Sequence, residues 1–226
     1  MKVIASVTPN ATKFGPLLYP GELDRGIAEL AEIGYDGIEL SLRTVHDVDA
    51  PALYRQLEKH DMALVSIATG QSYLEDGYSL YDSDPAVRAR TVERIASFIE
   101  LVAPFSGAVI LGGIKGNLSD GDQAAQRAGG DAAIDACLEI AEKARVTLLL
   151  EAINRYETNL FNTVQECRDF IEQRSSAHLR ILPDTFHMNI EEASFLDVLD
   201  ASAPYIGAIH CADSNRLAPG MGHIDF

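Results

Sequence analysis

The sequence is poor in positive charge. Lysine and arginine together number 18, against 34 aspartates and glutamates, and the formal net charge of the 226 residues is −16. A surface of this sign repels a phosphate backbone and disfavours docking on an anionic membrane. We therefore expect neither nucleic acid nor a membrane among the partners of this protein.

Cysteines and long apolar runs are also scarce. The three cysteines, Cys137, Cys167 and Cys211, are far apart and share no CxxC spacing, so they are predicted to be reduced thiols. No apolar run approaches the ~20 residues that span a bilayer. The opening MKVIASV is too short and too weakly basic for a signal peptide. Together these features predict a cytoplasmic protein.

Short β-branched runs alternate with longer amphipathic stretches along the chain. Apolar residues at helical spacing, and an Asp84-Pro85 pair typical of a helix start, predict helices between the runs. The predicted helices cover residues 21–34, 51–60, 84–103, 123–144, 164–174 and 195–201, and the predicted strands cover residues 2–7, 37–41, 63–69, 107–113, 146–152, 179–184 and 206–213. This alternation predicts an α/β fold with a parallel sheet covered by helices.

Two architectures fit such a sheet, a doubly wound sheet and a (β/α)8 barrel. A doubly wound dinucleotide-binding sheet carries GxGxxG after its first strand, whereas this sequence reads VTPNATKFG there. We therefore predict a (β/α)8 TIM barrel, which typically has ~250 residues. The chain is expected to form one domain over residues 1–226. With seven predicted strands, this domain lacks the eighth strand and the final helix and is expected to be C-terminally incomplete.

Three neighbouring strands end in side chains that can bind a metal. Glu151 follows the run TLLL, Asp184 follows ILP and His210 follows AI. Functional side chains of a barrel lie at the C-terminal ends of its strands, so these three are expected to point at one place. Carboxylate oxygens with one imidazole suit Mn²⁺, Mg²⁺ or a similar divalent ion. One polar strand end is often only the chain emerging into water, but three in succession favour a site.

Further polar residues lie at the same end of the predicted barrel. They are Glu39 at the end of the second strand, Gln71 after the third, Lys115 after the fourth, Glu157 after the fifth, His187 after the sixth and Arg216 after the seventh. Lys115 could hold a carboxylate or phosphate of a substrate, and Glu39 could bind a hydroxyl or be an ordinary rim carboxylate. Gln71 and His187 are expected to lie in loops, and His187 could also be a structural histidine. Lys115, Glu157 and Arg216 could be solvated loop residues.

Two carboxylates at a divalent ion suggest proton abstraction beside a carbonyl. A metal that holds a carbonyl oxygen acidifies the neighbouring C–H and stabilises the enediolate that forms. A nearby carboxylate can remove the proton. Returning the proton from the opposite face inverts the carbon, and this step requires a second acid/base group across the substrate.

Four segments of the sequence resemble a known family. They are EAINRYETNLFNT (151–163), DTFHMNIEE (184–192), HCADSNRLAPGMGHIDF (210–226) and TGQSYLEDGYSL (69–80). They resemble the sugar isomerase/epimerase family with a xylose isomerase-like TIM barrel, in the branch of the D-tagatose and D-psicose 3-epimerases. Within this group the sequence most resembles the 5-keto-L-gluconate epimerases, and the likeness runs along the whole chain.

The resemblance implies a metal-dependent epimerase of a ketose or keto-sugar acid. The metal would be Mn²⁺, with Mg²⁺ or Co²⁺ as alternatives, bound by Glu151, Asp184 and His210. Glu151 would also be the catalytic group that removes the proton. In the family a glutamate of the eighth strand is the fourth ligand and the second proton-transfer group, and it is expected to be absent from this chain.

The resemblance also implies contacts with a small sugar or sugar-acid substrate. Glu157, His187 and Arg216 match family positions that hold the oxygens around C1 and C2. Ala152 departs from the family, which usually has a proline after this metal ligand. Family members are often dimers or tetramers, so a homo-oligomer is compatible with the resemblance.

Several other functions stay open. An aldose–ketose isomerase or an inosose-type dehydratase would use the same fold, and residue spacing does not separate them from an epimerase. The fold also hosts endonucleases for abasic DNA sites, but these need more metal-binding histidines and a basic face, which the net charge of −16 opposes. An inactive sugar-binding fragment is a further alternative.

Overall fold

A parallel sheet forms the centre of the structure, a computed structural model that describes residues 1–12 and 15–226. Within these residues the sheet has six strands, which pair in chain order from first to last. They are β1 (Ile4–Val7), β2 (Gly37–Ser41), β3 (Ala63–Ala68), β4 (Ala108–Leu111), β5 (Thr147–Glu151) and β6 (Leu179–Leu182). Every adjacent pair is parallel. The predicted α/β fold with a parallel sheet is therefore confirmed.

Eight α-helices accompany the strands in the described part of the chain. They are α1 (Leu23–Ile33), α2 (Ala50–Lys59), α3 (Gly70–Asp76), α4 (Pro85–Val102), α5 (Gln123–Ala144), α6 (Val164–Glu172), α7 (Thr185–Glu191) and α8 (Phe195–Ser202). The six predicted helices agree with α1, α2, α4, α5, α6 and α8. Over the described ranges, none of the helices combines the length and the apolar character that a membrane span needs.

Helix starts are defined by side chains that accept backbone N–H groups. Asp84 caps α4 by accepting from Ala86 at 2.8 Å, and Pro85 takes the first helical position, as predicted. Asp122 caps α5 and Thr163 caps α6 in the same way. Each bond satisfies an N–H group that the helix itself leaves without a partner. Because these bonds are local, the sequence predicts the starts well.

The segment predicted as a seventh strand, residues 206–213, does not form one, and this prediction was wrong. The segment makes two isolated bridges next to β6, one joining Ile181 to Ile206 and the other joining Asp184 to His210. Between the two bridges the chain advances by three residues on the β6 side, from Ile181 to Asp184. It advances by four residues in the other segment, from Ile206 to His210. The segment therefore holds one extra residue, which interrupts the ladder as a β-bulge does.

Two short helices lie where loops were predicted, at the C-terminal end of the sheet. Gln71 lies in α3 and His187 in α7, so the prediction that both residues lie in loops was wrong. Asp184 caps α7 by accepting the N–H of Phe186 at 2.8 Å. Both helices have only seven residues, which is too short for a clear apolar period to appear in the sequence.

The two faces of the sheet are packed differently. Side chains on the face towards the helices, such as Val109, Leu148 and Ile181, belong to the main apolar cluster, which also contains residues of the helices. Residues that alternate with them in β4, β5 and β6 point to the opposite face and form a smaller cluster, Ala108, Ile110, Leu149 and Leu182. Because both faces are covered, the strands read as continuous apolar runs, and polar side chains collect at the strand ends.

Candidate metal centre and active site

Two carboxylates and an imidazole meet at the C-terminal ends of β5 and β6. Glu151 is the last residue of β5, and Asp184 follows β6 after Pro183. His210 lies beside them because its backbone N–H donates to the Pro183 carbonyl at 2.9 Å. Its Nδ1 is 3.5 Å from Oε1 of Glu151 and 3.8 Å from Oδ2 of Asp184. The structure thus brings the three predicted metal ligands to one place.

A second histidine faces the same two carboxylates. Ligand atoms of Glu151, Asp184 and His187 all lie within 4.8 Å of one another, and all three side chains are buried. This spacing can hold a metal ion. The sequence predicted His210 as the metal ligand and His187 as a substrate contact, so the geometry offers two imidazoles for one position.

The hydrogen bonds of Asn154 distinguish the two histidines. Oδ1 of Asn154 accepts the N–H of Tyr156 at 2.9 Å, which turns its Nδ2 towards Nδ1 of His187 at 2.7 Å. The amide N–H donates, so Nδ1 of His187 accepts and the ring proton lies on Nε2. A protonated Nε2 can donate a hydrogen bond but cannot bind a metal. This tautomer favours a substrate role for His187 and leaves the metal to His210.

Asn154 was not predicted to contribute to the site. It follows Glu151 by three residues in an irregular segment, and an asparagine in such a segment is an ordinary turn residue. Its importance comes from the contact with His187, which lies 33 residues further along the chain. The motif EAINRYETNLFNT contains it, but nothing in its spacing indicates that contact.

The charges of the cluster favour a cation at its centre. Burial alone would lower the pKa of His210, but the charge of Glu39 and hydrogen bonds to Asp184, Glu151 and Glu39 raise it well above its usual value. Burial alone would raise the pKa of Asp184 and of Glu39, but the hydrogen bonds and the charge of His210 hold both below the usual range. Three carboxylates around one imidazole therefore stabilise positive charge.

The donor atoms and the space around them fit a divalent ion. Two carboxylates and an imidazole suit Mn²⁺ better than they suit a soft metal. A Cβ added at Gly112 would lie 2.2 Å from Oε2 of Glu151. Glycine at this position therefore leaves room for the Glu151 carboxylate in its present orientation.

Arg216 and Glu157 pair beside the cluster. The guanidinium of Arg216 donates to Oε1 of Glu157 at 3.0 Å and lies 4.9 Å from the centre of the Phe186 ring. The two charged side chains are 34% and 41% exposed, so a substrate oxygen can reach them. Because Phe186 precedes His187 in α7, the pair lies next to the histidine that is predicted to contact the substrate.

Asp213 organises the loop that carries Arg216. Its carboxylate is fully buried and accepts the backbone N–H groups of Ser214 at 2.7 Å, Gly220 at 2.9 Å and Ile224 at 3.1 Å. Burial alone would raise the pKa of Asp213, but these N–H groups hold it well below its usual range. Arg216 itself adopts the left-handed region, with φ of 62°. The loop is thus built around one buried anion.

Lys115 lies close to the cluster but is turned into the protein. Its Nζ donates to the carbonyls of Leu111 at 3.2 Å, Gly112 at 3.0 Å and Glu151 at 2.7 Å. Burial lowers the pKa of Lys115 to about 8. In this conformation the side chain joins the ends of β4 and β5. The predicted contact between Lys115 and a substrate anion stays a prediction.

Gln71 is also buried, at the start of α3. Its Nε2 donates to Oγ1 of Thr8 at 3.1 Å and to Oγ of Ser41 at 2.9 Å. These bonds join α3 to the ends of β1 and β2. The side chain is 2% exposed, and its predicted place in a sugar pocket stays a prediction.

Comparison with known proteins agrees with this architecture. The profile of a family described as a xylose isomerase-like TIM barrel matches residues 27–226. The chain belongs to this family.

Similar proteins match over most of the chain. An L-ribulose 3-epimerase of Mesorhizobium japonicum is 36% identical over 209 residues, which are 91% of this chain and 69% of the relative. A D-psicose 3-epimerase of Agrobacterium fabrum is 29% identical over 221 residues, which are 95% of this chain and 72% of the relative. A solved structure of an L-ribulose 3-epimerase is 31% identical and superposes with a TM-score of 0.81, covering 99% of this chain and 74% of that one.

These similarities confirm two predictions. They confirm the D-tagatose/D-psicose 3-epimerase branch of the family and the enzyme class, an isomerase of the epimerase type. The narrower resemblance to 5-keto-L-gluconate epimerases stays a prediction.

Proposed function

We propose that this protein is a metal-dependent 3-epimerase of a ketose or keto-sugar acid. The observation that carries the proposal is the cluster of Glu151, Asp184 and His210 at the C-terminal ends of the strands, with Nδ1 of His210 within 3.8 Å of both carboxylates. The similar proteins named above, which are 3-epimerases of L-ribulose and D-psicose, support the same reaction. The resemblance of the sequence motifs adds 5-keto-L-gluconate to the proposed substrates.

Glu151 is the group that takes the proton from the carbon beside the ketone. Its backbone carbonyl is held by Lys115 and its side chain lies in the space that Gly112 leaves open, so the carboxylate has a defined position. A divalent ion, Mn²⁺ in the first place with Mg²⁺ or Co²⁺ as alternatives, would be held by Glu151, Asp184 and His210 and would polarise the ketone oxygen.

The substrate oxygens are held by the residues around this cluster. His187 donates its Nε2–H, and Arg216 its guanidinium, to oxygens on which negative charge grows as the proton leaves. Glu157 accepts a hydroxyl hydrogen bond and orients Arg216 through their 3.0 Å contact. Inversion also needs an acid/base group on the opposite face, which the resemblance assigns to a glutamate of the eighth strand.

We further propose that residues 1–226 belong to one domain, that the protein forms a homo-oligomer and that it works in the cytoplasm. The free state of Cys137, Cys167 and Cys211 supports a reducing compartment. A membrane or nucleic acid is not a proposed partner, because the formal net charge is −16.

Hydrogen exchange at the substrate carbon tests the proposal. The protein is incubated with Mn²⁺ in D₂O together with L-ribulose, D-psicose, D-tagatose or 5-keto-L-gluconate, and proton NMR follows the signal beside the ketone. Exchange requires only proton removal by Glu151, so it is informative whether or not inversion is complete. Glu151→Gln should slow exchange by about 10²- to 10⁴-fold, whereas the exposed control Glu139→Gln should leave it unchanged.

The products distinguish the alternatives. An aldose would indicate an isomerase, and loss of water would indicate a dehydratase. If wild-type protein that binds Mn²⁺ exchanges no proton on any of these substrates, the proposed function is wrong.

A further inference from the structure

A third carboxylate, that of Glu39, contacts the ring nitrogen of His210 that faces away from Glu151 and Asp184. Oε2 of Glu39 lies 3.0 Å from Nε2 of His210, while Nδ1 of the same ring faces Glu151 and Asp184. The two residues are 171 positions apart in the chain. The imidazole is therefore held between an acceptor on one side and the proposed metal ligands on the other.

Glu39 is not a rim residue, and the prediction that it lies at the end of the second strand was wrong. It is only 3% exposed, in the middle of β2. Its neighbours across the sheet are Ser6 of β1 and Ser66 of β3. Oγ of Ser66 donates to the same Oε2 at 2.8 Å. Small hydroxyl residues on both sides leave room for the carboxylate and supply donors to it, so the sheet itself fixes its position.

The contact determines which nitrogen of His210 can bind a metal. An ionised carboxylate only accepts, so Nε2 must carry a proton to donate to Glu39. In the neutral ring the lone pair is then on Nδ1, which is the nitrogen that lies within 3.8 Å of both Glu151 and Asp184. The other neutral tautomer, with the proton on Nδ1, would present an N–H to Glu151 and Asp184 and could not bind a metal through that nitrogen.

We propose that Glu39 is a positioning residue that acts through His210: it accepts the Nε2–H, holds the ring orientation and aims the Nδ1 lone pair at the metal. This inference rests on the proposed metal-dependent function. Carboxylates that hold the free N–H of a metal-bound histidine are common, and their loss typically weakens metal binding 10- to 100-fold. Glu39 does not touch the substrate in this proposal, so its effect should appear in metal affinity first.

A calorimetric titration with Mn²⁺ tests the role of Glu39 in the full chain. Glu39→Gln keeps the shape of the side chain but replaces the anion with a neutral amide. We expect the dissociation constant for Mn²⁺ to rise about 10- to 100-fold with the number of sites unchanged. The matched control is Asp131→Asn on α5, which replaces the carboxylate that accepts the hydroxyl hydrogen bond of Tyr81 with a neutral amide and should leave Mn²⁺ affinity as it is.

Two further measurements separate positioning from simple structural support. Saturating Mn²⁺ should restore most of the proton exchange in Glu39→Gln, but none in Glu151→Gln. In ¹⁵N NMR spectra of the Mg²⁺-loaded protein, the Nε2–H signal of His210 should shift in Glu39→Gln and stay in place in Asp131→Asn. If Glu39→Gln does not fold, Ser66→Ala removes one donor to Glu39 and should give a smaller rise in the dissociation constant.

The outcomes distinguish this inference from the function on which it rests. Unchanged Mn²⁺ affinity in a folded Glu39→Gln variant overturns the inference, while exchange by the wild type would still support an epimerase. If the wild type exchanges the substrate proton but binds no Mn²⁺, the metal dependence and the role of Glu39 are both wrong.

Discussion

Gly112 allows a direct test of how closely the Glu151 carboxylate must be placed. A Cβ at position 112 would lie 2.2 Å from Oε2 of Glu151, whereas ordinary contact begins at 3.4 Å. In Gly112→Ala the oxygen must therefore retreat by about 1.2 Å. A displacement of ~1 Å at a reacting group can cost about 10²-fold in rate. We expect proton exchange to fall by about that factor and Mn²⁺ affinity to fall with it, because the same carboxylate serves both.

The neighbouring glycine supplies the control for this experiment. A Cβ at Gly113 would meet Cδ1 of Tyr73 at 3.7 Å, which is an ordinary contact. Gly113→Ala should therefore keep both Mn²⁺ affinity and exchange near the wild-type values. Both quantities are measured well below the melting temperature of each variant, so that lost activity does not report unfolding. If Gly112→Ala exchanged the substrate proton at the wild-type rate, the placement of Glu151 would be refuted.

Two more predictions concern residues outside the ligand set. Asn154→Ala removes the donor that fixes the tautomer of His187, so kcat should fall about tenfold, as the loss of one buried hydrogen bond suggests, while Mn²⁺ affinity measured by calorimetry stays unchanged. Asp76 has a pKa below its ordinary 3.8 because Arg43 and Arg94 donate to it. Its ion pairs therefore stabilise the fold above pH 3.8 and are lost as the pH falls towards the folded-state pKa. Asp76→Asn should cost about 1 kcal/mol at neutral pH. Thermal melts should show the wild type losing this advantage as the pH falls through 3.8 towards the lower pKa of the folded state, and equal losses in both proteins would contradict the prediction.

The sequence predicts those parts of the fold that depend on neighbours in the chain. Asp84 and Pro85 define the start of α4 through bonds and backbone angles within one turn. The meeting of Glu151 and Asp184 also follows from the sequence, because parallel strands bring their carboxyl ends to the same edge. The first prediction uses only the residue types at the helix start, and the second uses only the positions and the direction of the strands.

Other features depend on contacts that no spacing rule reveals. Residues 206–213 read as a strand, but one extra residue breaks their pairing with β6. Lys115 reads as a solvated loop residue, yet one of its acceptors is the carbonyl of Glu151, 36 residues further along. The sequence indicates a rim carboxylate at Glu39, whereas its hydrogen-bond partner His210 lies 171 residues further along the chain. Such contacts form only when the sheet curves and brings distant strands together.

The buried carboxylate of Asp213 makes the shape of its loop independent of the side chains on the outside. The groups that it binds are backbone N–H groups, which every residue except proline provides. Leu217 and Met221 in the same loop are 49% and 63% exposed. Exchange of these two side chains can therefore alter the surface beside Arg216 while Arg216 keeps its place. In an engineered or diverging lineage, the outer side chains of this loop can change with little risk to the backbone that carries Arg216.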